Sequence, residues 1–249
     1  MKLRGERECK DCRTRWSYYE TGEATCPNCG SLRSVAVEDK RKRHTDSPVE
    51  IDLSPYRDAV SDDADILDVA DEIEDDCRTY LRKRGFIHAG ELQPLDDTFL
   101  AVQELRAAIA DERRDKRIGV DRGQRIDDET ERYLLALLAG ADLGERPAPD
   151  EVPDSLTDAR GLAYATAVHA YREDVATYLD DTPDSEGRRV LERIRDHGKR
   201  LNALGGDVPP VEAERLVDAC NDLHRYLTGE DGRDNGALST ALDRLDRLE

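Results

Sequence analysis

Cys9 and Cys12 are separated by two residues, Cys26 and Cys29 likewise, and thirteen residues lie between the pairs. Two intervening residues let a tight turn aim both sulfurs at one ion, and a second such turn completes a tetrahedron. Pro27 fixes φ and Gly30 tolerates left-handed backbone, which suits the second turn. The stretch between the pairs has room for a strand and its return, with Thr21-Gly22-Glu23 as the reversal. Cys9, Cys12, Cys26 and Cys29 therefore read as ligands of one structural Zn²⁺; rubredoxin-like iron or a regulatory metal site is the alternative. Four thiolates leave no open coordination position, so the site serves folding and not catalysis. About forty residues bury too little core to fold alone, and metal binding supplies about 10–16 kcal/mol apparent in small zinc peptides.

Arg13 and Arg15 alternate with Trp16, Tyr18 and Tyr19, a mixture that holds single-stranded nucleic acid by stacking and cationic contact. Trp16 also suits the ribbon's own small core. Residues 1–45 carry eleven Lys or Arg against seven acids, a formal +4, so the rest of the chain carries −23. Four thiolates and one Zn²⁺ bring that +4 to about +2. The cysteine end, with Arg13, Arg15, Trp16 and the run Lys40, Arg41, Lys42, Arg43, is thus where a nucleic acid or a protein partner would dock. The Lys40–Arg43 run reads first as a solvated linker and second as a docking arm.

Elsewhere the residues offer less chemistry. His169 and Glu173 are four apart on an expected helix, which suits a surface contact or an acid/base pair. His197 falls on an apolar stripe, and His88 lies in GFIHAGELQP, a turn between helices with no nucleophile beside it. The lone Cys77 and Cys220 sit in helical patterns and read as core thiols. There is no GxGxxG, P-loop, HExxH or GxSxG. An enzyme or enzyme subunit, its site in the helical part and its ribbon purely structural, is the alternative to an adaptor.

The segment ECKDCRTRWSYYETGEATCPNCGSLRSV resembles the TFIIB-type zinc ribbons of haloarchaeal proteins, through its CPNCGS knuckle and the aromatic run after the first pair. With its acidic helical tail, the whole chain resembles a haloarchaeal zinc-ribbon family. The resemblance implies a metal-binding, transcription-associated or adaptor role.

The elements that position these residues follow from periodicity. Residues 1–38 form a small β-rich zinc ribbon, with strands expected at Arg15–Tyr19 and Ser34–Val37. Residues 39–54 are polar and basic and read as a linker. Residues 55–249 form an acidic all-α bundle, in which apolar residues recur at offsets of three and four. Helices are expected at about 66–84, 97–114, 127–139, 155–180, 184–204, 210–227 and over the final leucines. The Pro-rich stretch 140–154 marks a loop, or a split into two sub-bundles. Such amphipathic helices also suit dimerisation.

With 38% charged residues, 5% aromatic and a net charge of −19, the composition resembles that of disordered chains, but the helical spacing argues for a core. Asp outnumbers Glu, 35 to 22, and Arg outnumbers Lys, 31 to 7, the balance of a halophilic cytosol. At molar salt the Debye length falls to about 3 Å, so carboxylates repel little while keeping the surface hydrated. No run of 18 apolar residues and no apolar signal segment occurs, so a cytoplasmic protein without membrane contact is expected.

Overall fold

The computed structural model describes residues 1–61, 65–118, 126–229 and 236–248, with backbone alone at 115–118. A small strand region precedes a helical one. In the first, β2 (Glu6–Cys9) pairs antiparallel with β3 (Arg15–Ser17) on one side and β4 (Ser34–Ala36) on the other, while β1 (Lys2–Leu3) pairs with β5 (Lys42–Arg43). The expected strand over Arg15–Tyr19 stops at Ser17. A helical turn, α1 (Tyr18–Thr21), follows and ends on Gly22 at φ 66°. Tertiary contacts override the β propensity of the two tyrosines: Tyr19 is 2% exposed, and its hydroxyl lies 3.0 Å from the Leu3 carbonyl and 2.9 Å from the Glu38 carboxylate. Gly5 makes room for that ring, since a Cβ there would lie 2.3 Å from it.

Residues 39–54 do not trail free between the two regions. Lys42 and Arg43 form β5, Thr45 Oγ1 donates to Asp174 at 2.6 Å, and Leu53 is fully buried. Gly85 is the point of closest approach; a Cβ there would stand 2.5 Å from the Thr45 backbone.

The helical region comprises α2 (Ser54–Ser61), α3 (Ala70–Lys83), α4 (Asp97–Ile118), α5 (Asp128–Leu143), α6 (Thr157–Asp181), α7 (Ser185–Ala203), α8 (Pro210–Thr228) and α9 (Gly236–Asp246). A short hairpin, β6 (Ile87–His88) and β7 (Glu91–Leu92), stands between α3 and α4. The sequence read this segment as a plain turn because each strand is two residues long, below any resolvable period. Side-chain caps set the helix starts: Asp127 accepts from the Glu129 and Thr130 amides, and Asp184 from that of Gly187. Left-handed Gly144 and Gly229 end α5 and α8.

α6 lies at the centre, packed on α4, α7 and α8. The buried face of α3 is Ile73, Cys77 and Tyr80, with Asp71, Glu72 and Asp75 exposed opposite. Cys77 and Cys220 are both fully buried, and burial pushes the Cys77 thiol up to about 12, as befits inert core thiols. One buried apolar cluster takes in residues from Leu53 to Leu248, on both sides of the 140–154 stretch. That stretch carries two short 3₁₀ turns, Pro149–Glu151 and Asp154–Leu156. A buried polar knot pins it: Arg160, fully buried, donates to the Pro147 carbonyl at 3.1 Å and to the Tyr133 hydroxyl at 3.0 Å, and lies 3.2 Å from Glu214. Glu104, 1% exposed, accepts from Tyr133 in the same knot. Burial holds the Glu104 carboxyl above its usual range, against the pull of Arg160. No helix among the described residues is long and apolar enough to cross a membrane.

Candidate metal centre and the surface beside it

The two cysteine pairs sit in turns with matching hydrogen bonds. In the first, the Cys9 amide donates to the Thr14 carbonyl at 2.9 Å and the Arg13 amide to the Cys9 carbonyl at 3.1 Å. In the second, the Cys26 amide donates to Ser31 at 2.9 Å and the Gly30 amide to Cys26 at 2.9 Å. The residue after each second cysteine is left-handed, Arg13 at φ 63° and Gly30 at φ 70°. The sequence offered glycine as a sign of this conformation in the second turn only.

These turns bring the four Sγ atoms within 4.8 Å of one another. Cys9 and Cys29 sulfurs are 3.7 Å apart, and those of Cys12 and Cys26 are 3.5 Å apart. A tetrahedron with metal–sulfur bonds of about 2.3 Å has edges of about 3.8 Å, so the donor set fits a four-coordinate thiolate-bound ion. The thiols compete for protons. The Thr14 hydroxyl and amide hold Cys12 down to about 5; the Ser31 amide also favours the Cys29 thiolate, yet the neighbouring sulfurs and burial push Cys29 up to about 12. A bound cation resolves that contest by deprotonating all four.

Around the sulfurs, Trp16 is 7% exposed and packs with Cys9 and Cys26, its indole N–H donating to the Glu23 carbonyl at 3.1 Å. Its ring thus belongs to the small core of the strand region and offers little face for stacking. Arg13 and Arg15 both pair with Glu8, at 3.1 and 2.8 Å, and those guanidiniums hold the Glu8 carboxyl below its usual range, Arg15 first. Their charge is therefore partly spent within the sheet.

The Lys40–Arg43 run has a different setting. Arg41, Lys42 and Arg43 line a hollow of about 340 Å³ together with Lys2, the β6–β7 hairpin tip and the end of α6. Arg43 and Lys2 both pair with Asp181, at 3.1 and 2.5 Å, and Lys42 pairs with Glu38 at 3.3 Å. The hairpin tip is left-handed at both residues, Ala89 at φ 50° and Gly90 at φ 91°. Lys2 and Asp181 escaped the sequence reading because their partners are remote in the chain; the Arg43–Asp181 contact spans 138 residues.

The histidines separate clearly. His169 is exposed, with Glu173 3.6 Å away. His197, half-buried on α7, is not brought to His88 or His169 in any hollow described. His88 acquires two carboxylates that the sequence did not pair with it: Asp46 Oδ2 lies 3.3 Å from Nδ1 and Glu20 Oε1 lies 3.1 Å from Nε2. His44, unremarked in the sequence, is 6% exposed; its Nδ1 accepts from the Ala89 amide at 3.2 Å, and its ring packs on Tyr19 and His88.

A family model described as a family of unknown function (DUF7117) matches residues 1–245, the cysteine turns and the helices together. No curated protein and no solved structure matches.

Proposed function

The chain belongs, through residues 1–245, to a family of unknown function, and from its own surfaces we propose that it is a zinc-stapled adaptor that grips an anionic partner where ribbon and helices meet. Zinc is the metal this reading selects, because an all-thiolate tetrahedron with no open position is its usual structural site. The TFIIB-type likeness of the cysteine segment extends this reading to a transcription-associated role. About one equivalent of zinc per chain is expected by elemental analysis; less than half an equivalent, or iron in its place, overturns the assignment.

The observation that carries the adaptor reading is the convergence of Lys2, Arg41, Lys42 and Arg43 on one hollow in a chain whose net charge is −19. Asp181 orients Lys2 and Arg43 without cancelling the group, and Lys40 and Arg41 remain exposed. A phosphate backbone is the partner such a groove favours. Crosslinking in cells tests this. Nucleic acid should be recovered with the native chain and largely lost with Arg41→Glu/Lys42→Glu; protein alone would replace the phosphate partner with a protein one, and recovery of neither sinks the adaptor reading. Self-association through the helices has the exposed Leu162 and Leu204 as its support.

One observation favours the enzyme reading: His88 stands with Asp46 and Glu20 beside a hollow of about 210 Å³ that Tyr80 and Arg84 also line. Both ring nitrogens face the chain's own carboxylates, one on α1 and one ahead of α2, so the ring acts as a bracket between ribbon and helices. That arrangement leaves no nitrogen open for a substrate proton.

A further inference from the structure

A third hollow, of about 250 Å³, lies between α6 and α7. Ala165, Val168, His169 and Arg172 face it at offsets of three and four along α6, and Ile194, Gly198 and Asn202 do so along α7. Its floor is apolar: Ala165, Val168 and Ile194 are each at most 1% exposed.

Gly198 is the anomaly. Glycine inside a helix is unfavourable relative to alanine, so it usually marks a close approach. Gly161 and Gly140 have that reason, since a Cβ on either would come within 2.4 Å of a carbonyl oxygen. Gly198 does not: a Cβ there would meet one atom, Val168 Cγ1, at 4.0 Å. The missing side chain opens the hollow where two helix ridges would otherwise interlock.

The rim is cationic. Arg195 is paired with Asp196 at 3.0 Å and His169 with Glu173 at 3.6 Å. Neither Arg172 nor Lys199 closes a direct ion pair among the described residues; Lys199 acts on Asp196 through its charge alone. In a chain with 57 acids against 38 bases, two cations outside any direct ion pair beside an apolar floor form a complement to an amphipathic anion. An apolar cavity of about 150 Å³ already accepts benzene, so this one has room for a ring or a short alkyl chain.

We infer that the α6–α7 hollow is a binding site for a small organic carboxylate, its apolar body on Val168, Ile194 and the gap at Gly198, its carboxylate between Arg172 and Lys199. The site is independent of the metal centre and of the groove at Arg41–Arg43.

Methyl NMR of the full-length, metal-bound chain tests this, with benzoate and benzyl alcohol as probes at constant ionic strength. Benzoate should shift the Val168 and Ile194 methyls saturably, and benzyl alcohol should bind about tenfold more weakly for want of a charge-assisted contact. Arg172→Gln/Lys199→Gln should reduce benzoate to the level of the alcohol, and Gly198→Leu should abolish both. No saturable shift, equal binding of the two probes, or benzoate affinity unchanged in the double-Gln variant overturns the inference. Should Gly198→Leu fail to fold, the double-Gln variant, which alters the rim alone, decides the matter.

Discussion

Arg13 and Gly30 occupy equivalent places in the two cysteine turns, and both are left-handed. For glycine that conformation is free of strain, whereas a Cβ there meets the following carbonyl at a cost of about 1–2 kcal/mol. The turns therefore differ in stored strain although their hydrogen bonds match. Gly30→Ala is expected to destabilise the ribbon by about 1 kcal/mol, and Arg13→Gly to leave it no weaker, because relief of strain offsets the added freedom of the unfolded chain. The Arg13–Glu8 pair lost in the second variant is exposed and contributes little. Trp16, the one tryptophan, lies in the ribbon core, so its fluorescence in a denaturant melt reads out ribbon stability. Equal stability of Gly30→Ala and the native chain would refute the strain account.

At the scale of elements, His44 is buried where the strand region meets the β6–β7 hairpin. Burial first, and then neighbouring His88, hold its pKa below the ordinary value of 6.5; the N-terminal amine acts in the same direction, and the Asp46 and Glu20 carboxylates oppose it. Tyr19 covers the ring from α1. The neutral form is also the one whose Nδ1 can accept from the Ala89 amide. With a depressed folded pKa, the unfolded chain binds a proton first as pH falls. His44 therefore contributes full stability above about pH 6.5, and that contribution is lost progressively below it. Denaturation midpoints measured between about pH 8 and 5 should decline through this window for the native chain and less for His44→Gln. An equally steep decline in the variant would place the pH dependence elsewhere.

Over the whole molecule, the formal charge is −19, a formal +4 over residues 1–45 and −23 over the rest. Self-repulsion on this scale weakens as the Debye length drops from about 10 Å at 0.1 M salt to about 3 Å at 1 M. The thermal midpoint should therefore rise between 0.1 and 1 M KCl; a flat or falling midpoint would mean that the ion pairs screened by salt outweigh the repulsion it relieves. The Arg160–Glu104–Tyr133 knot, being buried, lies beyond that screening and holds the Pro-rich stretch at every salt concentration.

The sequence by itself determined what is local or periodic. Two short cysteine spacings specify sulfurs that converge, and apolar residues at offsets of three and four specify helices, as Ile73, Cys77 and Tyr80 do on α3; Asp127 and Asp184 stand at the starts of α5 and α7, and left-handed Gly144 ends α5. Tertiary structure decided whatever joins residues remote in the chain. It turned Tyr18 and Tyr19 from a strand into a helical turn, because Tyr19 is held by Leu3 and Glu38. It fastened Arg43 to Asp181 and His88 to Glu20, and it showed the gap at Gly198 to be open where Gly161 is crowded. Hydrogen-bonding and packing partners of this kind leave no period and no spacing in the sequence, so the four converging sulfurs of the candidate metal site were legible beforehand and the surfaces around them were not.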